Sequence, residues 1–118
     1  MTGNPDLQAR TKSFALRIIK VVDALQNTRS ASAIGSQSLR SGTSVGANYR
    51  AAWRARSTAE FVAKLGIVEE EADECGYWLE LLADSRLMTH TQLCELMKEA
   101  DELVAITVAS IKTARKRP

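Results

Sequence analysis

The stretch STAEFVAKLGIVEEEADECGYWLELL, residues 57–82, decides the fold. Within it Phe61, Leu65, Val68, Ala72, Cys75, Leu79 and Leu82 step by four, three, four, three, four and three. Residues at those steps share one face of an α-helix, so the run predicts an unbroken heptad seam buried against neighbouring helices. Ser57, three residues before Glu60, predicts a capping box in which each side chain satisfies a backbone N–H at the helix start. At 1.5 Å per residue, a helix of this length is a rod of roughly 35 Å.

The same logic extends in both directions. Downstream, Thr89 and Gln92 form a second capping-box pattern, with Met88 and Leu93 placed as a hydrophobic staple. Leu93, Met97, Ala100, Val104, Thr107, Ile111 and Ala114 then repeat the steps of four and three. Upstream, Asn4 before Pro5 is a helix start signal. Phe14, Ile18, Val21 and Leu25, widened by Ile19 and Val22, make one apolar face of a helix reaching about Gln26. The polar run Asn27-Thr28-Arg29-Ser30 reads as a loop. A further helix starts near Ser30 or Ser32 and reaches about Arg54. Gly42 and Gly46 each weaken it by ~1 kcal/mol relative to alanine, so packing must supply the difference. The sum is an all-α chain: one domain over residues 1–118, an antiparallel up-down-up-down four-helix bundle with a short polar N-terminal arm and a basic C-terminal tail. The 3.5-residue spacing predicts left-handed crossing near +20°.

Composition agrees. The 118 residues are 45% hydrophobic and 25% charged, an ordinary globular balance, and both prolines, Pro5 and Pro118, lie at the ends. Only 5% of residues are aromatic and β-branched residues do not alternate with polar ones, which disfavours a sheet. No apolar run approaches the length of a membrane span, and Met1 to Arg10 lacks the apolar centre of a secretion signal. A cytoplasmic protein that leaves membranes alone is the expectation. Cys75 and Cys94 read as reduced thiols, Cys75 as a small core residue. Charge is segmented: residues 1–56 carry nine Lys/Arg against two Asp/Glu, residues 57–111 carry three against twelve, and the last seven residues add four cations.

Enzymatic readings fare poorly, and no catalytic residue is assigned. His90 stands alone, so there is no Cys–His or Ser–His–Asp set. Gly42 and Gly46 lie inside a helix, not in a phosphate-binding loop between strand and helix. The acidic run Glu69–Glu74 lacks the Glu-x-x-His pairs of a ferritin-like centre, so no metal, no cofactor and no small-molecule substrate is expected.

The second helix carries three stripes. Leu39, Gly42, Gly46, Tyr49 and Trp53 form one, Ile34, Ser38, Ser41, Val45, Asn48 and Ala52 a second, and Arg40, Thr43, Ala47, Arg50 and Arg54 a third. Two non-basic stripes suggest packing on two sides, one for the bundle and one for another copy of the chain. Gly42, Gly46, Tyr49, Trp53 and Asn48 are the candidate interface residues. The alternative is a single wide core face. Asn48 is the expected buried polar residue; Ser41 and Ser44 either supply it a hydroxyl or bond back to their own helix.

The arginine stripe is the functional lead. If the second and third helices turn near residue 56, Arg40 falls opposite about residue 72 and is neutralised by the acidic run. Arg50, Arg54 and Arg56 lie beyond that run, with only Glu60 nearby. They form an excess able to contact phosphates, and Lys116 and Arg117 of the tail are further candidates. Trp53, beside Arg54, has the face to stack on a base. The bland alternatives are a solvated basic face, pairing with an acidic surface of another copy, and a tryptophan used for packing.

Residues 39–49, LRSGTSVGANY, together with Phe61–Ile67, Glu69–Ala72 and Tyr77–Leu82, resemble the four-helix bundle proteins of the 23S rRNA intervening-sequence family. The likeness extends from about Phe14 to about Ile111. It implies the four-helix fold, a ring-like homo-oligomer with the homopentamer favoured, and nucleic-acid binding, since a relative acts as a basic, barrel-shaped accessory protein beside a reverse transcriptase. It implies no enzymatic activity. Many members carry an acid shortly after the asparagine; here Asn48-Tyr49 is followed by Arg50-Ala51-Ala52, so nothing resting on that acid transfers. The resulting expectation is a non-enzymatic, oligomeric helical bundle whose arginine patch binds RNA or DNA. The alternative is a protein–protein adaptor or assembly protein.

Overall fold

Three of the four helices begin where a described side chain closes the first turn. The computed structural model describes residues 5–116; the expected Asn4 cap therefore lies outside the described residues, as does Arg117. The first helix, α1, is Pro5–Asp23. It stops short of the expected Gln26 because Ala24 and Leu25 donate to Val21 and Val22, three residues back, tightening the last turn. The second, α2, is Arg29–Trp53, which starts ahead of the expected Ser30 or Ser32 because Thr28, read as loop, caps it by accepting from the Ala31 N–H. The third, α3, is Thr58–Asp84, with Ser57 accepting from the Glu60 N–H. Glu60 does not complete the expected box on Ser57; its carboxylate takes the Arg56 N–H at 3.3 Å. The fourth, α4, is His90–Arg115, and its Thr89/Gln92 capping box is complete.

Neighbour identities fix the directions. Along α2, Gly35 lies against Val22 and Leu25, Gly42 against Ile18, and Gly46 against Thr11, so α1 descends as α2 ascends. Short loops turn α2 into α3 and α3 into α4. Only sequential pairs and the α1–α4 pair pack together, with no diagonal contact among the described residues. That is a four-helix up-down-up-down square, 50 × 19 × 19 Å.

All the α3 seam residues, Phe61 to Leu82, are buried. The α4 seam is corrected: Leu96 and Leu103 are buried in place of Met97 and Val104, which are only partly covered. On α1, Leu7 and Thr11 join Phe14 and Ile18 inside, while Val21 and Leu25 are half-buried and Ile19 is exposed. The buried polar side chains are Thr11, Ser38, Ser41 and Thr107, not Asn48. Their hydroxyls donate to carbonyls three or four residues back in their own helices, as with Ser41 to Gln37 at 2.7 Å and Thr107 to Leu103 at 2.6 Å.

The small residues of α2 serve the chain itself. A Cβ on Gly42 would lie 2.8 Å from an Ile18 carbon, so only glycine admits this approach of α1. Gly42 and Tyr49, two of the candidate interface residues, are buried within the chain itself. Both non-basic stripes contribute to one wide core face, Gly42 and Tyr49 from the first and Ser38, Ser41, Val45 and Ala52 from the second. Gly46, Asn48 and Trp53 are partly covered.

Candidate nucleic-acid interface

Arg40 shows what a neutralised arginine looks like here. Its guanidinium pairs with Glu71 at 2.9 Å and with Glu74, and its Nε donates to Gln37 at 3.0 Å. Glu74 also accepts from the Trp78 indole at 2.9 Å. The expectation that the acidic run absorbs Arg40 is met across the α2–α3 seam.

Arg50, Arg54 and Arg56 differ. All three are exposed, and none has an ion pair among the described residues. Arg50 lies in the last turn of α2, where a cation also offsets the negative end of the helix dipole. Arg54 caps that helix, and Arg56 follows in the loop.

Arg50 and Arg54 border a groove of about 580 Å³ between α1 and α2. Its α2 wall adds Trp53; its α1 wall brings Lys12. The groove exists because Ala15, Gly46 and Ala47, which also line it, are too small to fill the furrow between the two helices. Among the described residues no carboxylate lines it. Trp53 has two surroundings, packing in part on the core and in part lining this groove. Arg56 is not among the lining residues, so the expected arginine trio divides.

Lys12 was not read from the sequence as a site residue. The signal was present: turning α1 back on α2 about the polar run 27–30 sets Lys12 near Val45 and Gly46, one turn from Arg50. The up-down topology also brings the exposed Lys116, at the end of α4, to the same pole of the bundle as the α2–α3 loop.

Elsewhere the chemistry is quiet. His90 is exposed at the first position of α4. Among the described residues, no three His, Cys, Asp or Glu side chains gather as metal ligands would, and no buried side-chain N or O lacks a hydrogen-bond partner. Burial pushes the Cys75 thiol up to about 11; Glu74 and Glu71 push the same way, while the neighbouring Ser41 hydroxyl and the charge of Arg40 oppose. No helix among the described residues is long and apolar enough to cross a membrane.

Fold and site together define a class: an all-helical four-helix bundle with a cationic groove at one pole. The chain belongs to the 23S rRNA-intervening sequence protein family, whose pattern matches residues 5–109. Among solved structures it is similar to a protein of unknown function from the S23 ribosomal protein family of Bacteroides thetaiotaomicron. The two are 37% identical over 90% of this chain and 98% of the other, with a TM-score of 0.85. No curated protein matches the sequence.

Proposed function

We propose that this protein is a non-enzymatic nucleic-acid-binding accessory factor that acts as a homo-oligomer. One observation carries the reading: Arg40 is held by Glu71 and Glu74, whereas Arg50 and Arg54 have no ion pair, and their groove no lining carboxylate, among the described residues. Phosphates are the complement of such a surface, and a charge left without a partner is free to displace counterions from a nucleic acid. The family supports the same direction through the ribosomal RNA in its name.

Self-assembly is the second element of the proposal. Leu16 and Tyr77 are 53% and 52% exposed, and Ile19, Leu39 and Ile67 add apolar surface on three helices. Apolar side chains of this size on outer faces fit burial between copies. A ring, five copies being the favoured count, would repeat the cationic pole around its axis.

The test is fluorescence anisotropy with labelled RNA and DNA, using wild type, Arg50→Ala/Arg54→Ala and Arg40→Ala. Loss of about tenfold or more in the double variant, with Arg40→Ala near wild type, is expected. Equal affinity in all three would turn the reading toward a protein–protein adaptor.

A further inference from the structure

The groove has features that a generic phosphate-binding surface does not need. Two helices wall it: α1 supplies Lys12, and α2 supplies Arg50, Arg54 and Trp53. Its small lining residues leave about 580 Å³ of space, within the range that holds a small organic ligand. Arginine or lysine spread over a flat face would serve duplex phosphates equally well, without an aromatic ring or a recess. A cationic furrow with an aromatic at its end is the arrangement that single strands use, because an unpaired base exposes a π-face to stack and a duplex does not.

We propose that the α1–α2 groove is a subsite for one nucleotide of a single strand, its phosphate held between Lys12 and the Arg50/Arg54 pair and its base laid on Trp53. The inference rests on the nucleic-acid reading above and narrows it to the strand state and the residues. Both RNA and DNA offer this chemistry. Phosphate contact and base stacking are common to both, so ribose and deoxyribose strands are expected to enter alike. Trp53 therefore has a double duty: part of its ring holds the end of α2 to the core, and the rest is the platform.

Trp78 is the only other tryptophan, and it is bonded to Glu74 on α3, outside the groove. Trp78→Phe therefore leaves Trp53 as the sole reporter. That protein is titrated with oligo(U), oligo(dT), an abasic strand and a duplex, each of about ten nucleotides or base pairs. The prediction is that both base-bearing single strands quench Trp53 emission saturably, while the abasic strand binds with little quenching and the duplex leaves the emission unchanged. Lys12→Ala removes a surface charge, and Ala47→Leu fills the groove from an exposed position. Each is predicted to weaken single-strand binding by about tenfold while leaving helicity intact. Binding of every strand, duplex included, with Trp53 emission unmoved would overturn the subsite and leave the cationic pole as a plain phosphate surface. Failure of all nucleic acids to bind would overturn the nucleic-acid reading itself, and the subsite with it. Quenching by oligo(U) but not oligo(dT) would contradict the sugar-independent form proposed here.

Discussion

Single side chains show most sharply where spacing decides burial and where it does not. Every seam position of α3 is inside because α3 packs between α2 and α4, which fixes the face it buries. In α4, Leu96 lies beside Met97 and Leu103 beside Val104, so two apolar stripes compete. Step size alone does not choose between them; the rotation of the helix against its partners does. Asn48 was misjudged for a related reason. Its amide donates to the Ser44 carbonyl at 2.9 Å and needs no buried partner, whereas Ser38 and Ser41 are small enough to be enclosed. Glycines give a paired prediction. Gly42→Ala drives a methyl into Ile18 and should destabilise the protein by about 1–3 kcal/mol, overriding its better helix propensity. Gly66→Ala meets nothing within 4 Å and should stabilise by about 0.5–1 kcal/mol. Urea denaturation of both variants checks this, and an equal gain in the two would refute the close α1–α2 approach. Cys75 gives a pH dependence. Its folded-state thiol is raised from 9.0 to about 11, so below pH 9 it is neutral in both states and its contribution is fully present. Above pH 9 the unfolded chain ionises first, and stability falls by roughly 2–3 kcal/mol as pH approaches 11. Cys75→Ala should flatten that fall when denaturation midpoints are compared at pH 8 and pH 10.5. Indistinguishable slopes would contradict it.

At the level of elements, the helix starts were legible and the helix ends less so. Thr89 closes the full box that was expected and Ser57 closes its hydroxyl half, since a cap is a local pattern of a hydroxyl and its third neighbour. The end of α1 depended on a tightened final turn that no residue type announces. After α3, Arg86 holds φ at 63°, the left-handed region where glycine is at ease. Arg86→Gly should raise stability by about 0.5 kcal/mol, the released strain exceeding the entropy glycine adds to the unfolded chain. A lower thermal midpoint would show that the arginine side chain matters more than its backbone. Closure of the square rests on α1 meeting α4, where Arg10 reaches Glu99 through two nitrogens at 3.1 and 2.6 Å. The hydrogen bond to Glu99 raises the Arg10 pKa, with burial opposing and the charges of Glu99 and Glu102 adding to it. The pair is partly solvated, so a double-mutant cycle of Arg10→Ala and Glu99→Ala should return only about 0.5–1 kcal/mol of coupling. A coupling of zero would leave the α1–α4 seam to apolar packing alone.

For the whole molecule, charge segmentation becomes geography. The acidic middle of α3 neutralises Arg40, and the arginines beyond it gather at one pole, as the hairpin register of α2 and α3 implied. Lys12 escaped because its approach to Arg50 depends on a different hairpin, and the sequence alone does not say which partner a stripe will face. Small residues on α2 were equally ambiguous: they permit a close neighbour without naming it, and the neighbour is α1 of the same chain. Light scattering tests assembly directly. A mass well above the 12.9 kDa of one chain, near five copies, is expected, and Leu16→Glu/Tyr77→Glu should lower it without unfolding the bundle. The central claim is that unpaired arginines at this pole hold phosphates, and salt dependence addresses it most directly. Affinity for a single strand, measured from 50 to 200 mM salt, should fall steeply for wild type and Arg40→Ala. The logarithmic slope should be smaller by about 1–2 in Arg50→Ala/Arg54→Ala. The same slope in all three proteins, or binding that ignores salt, would contradict it.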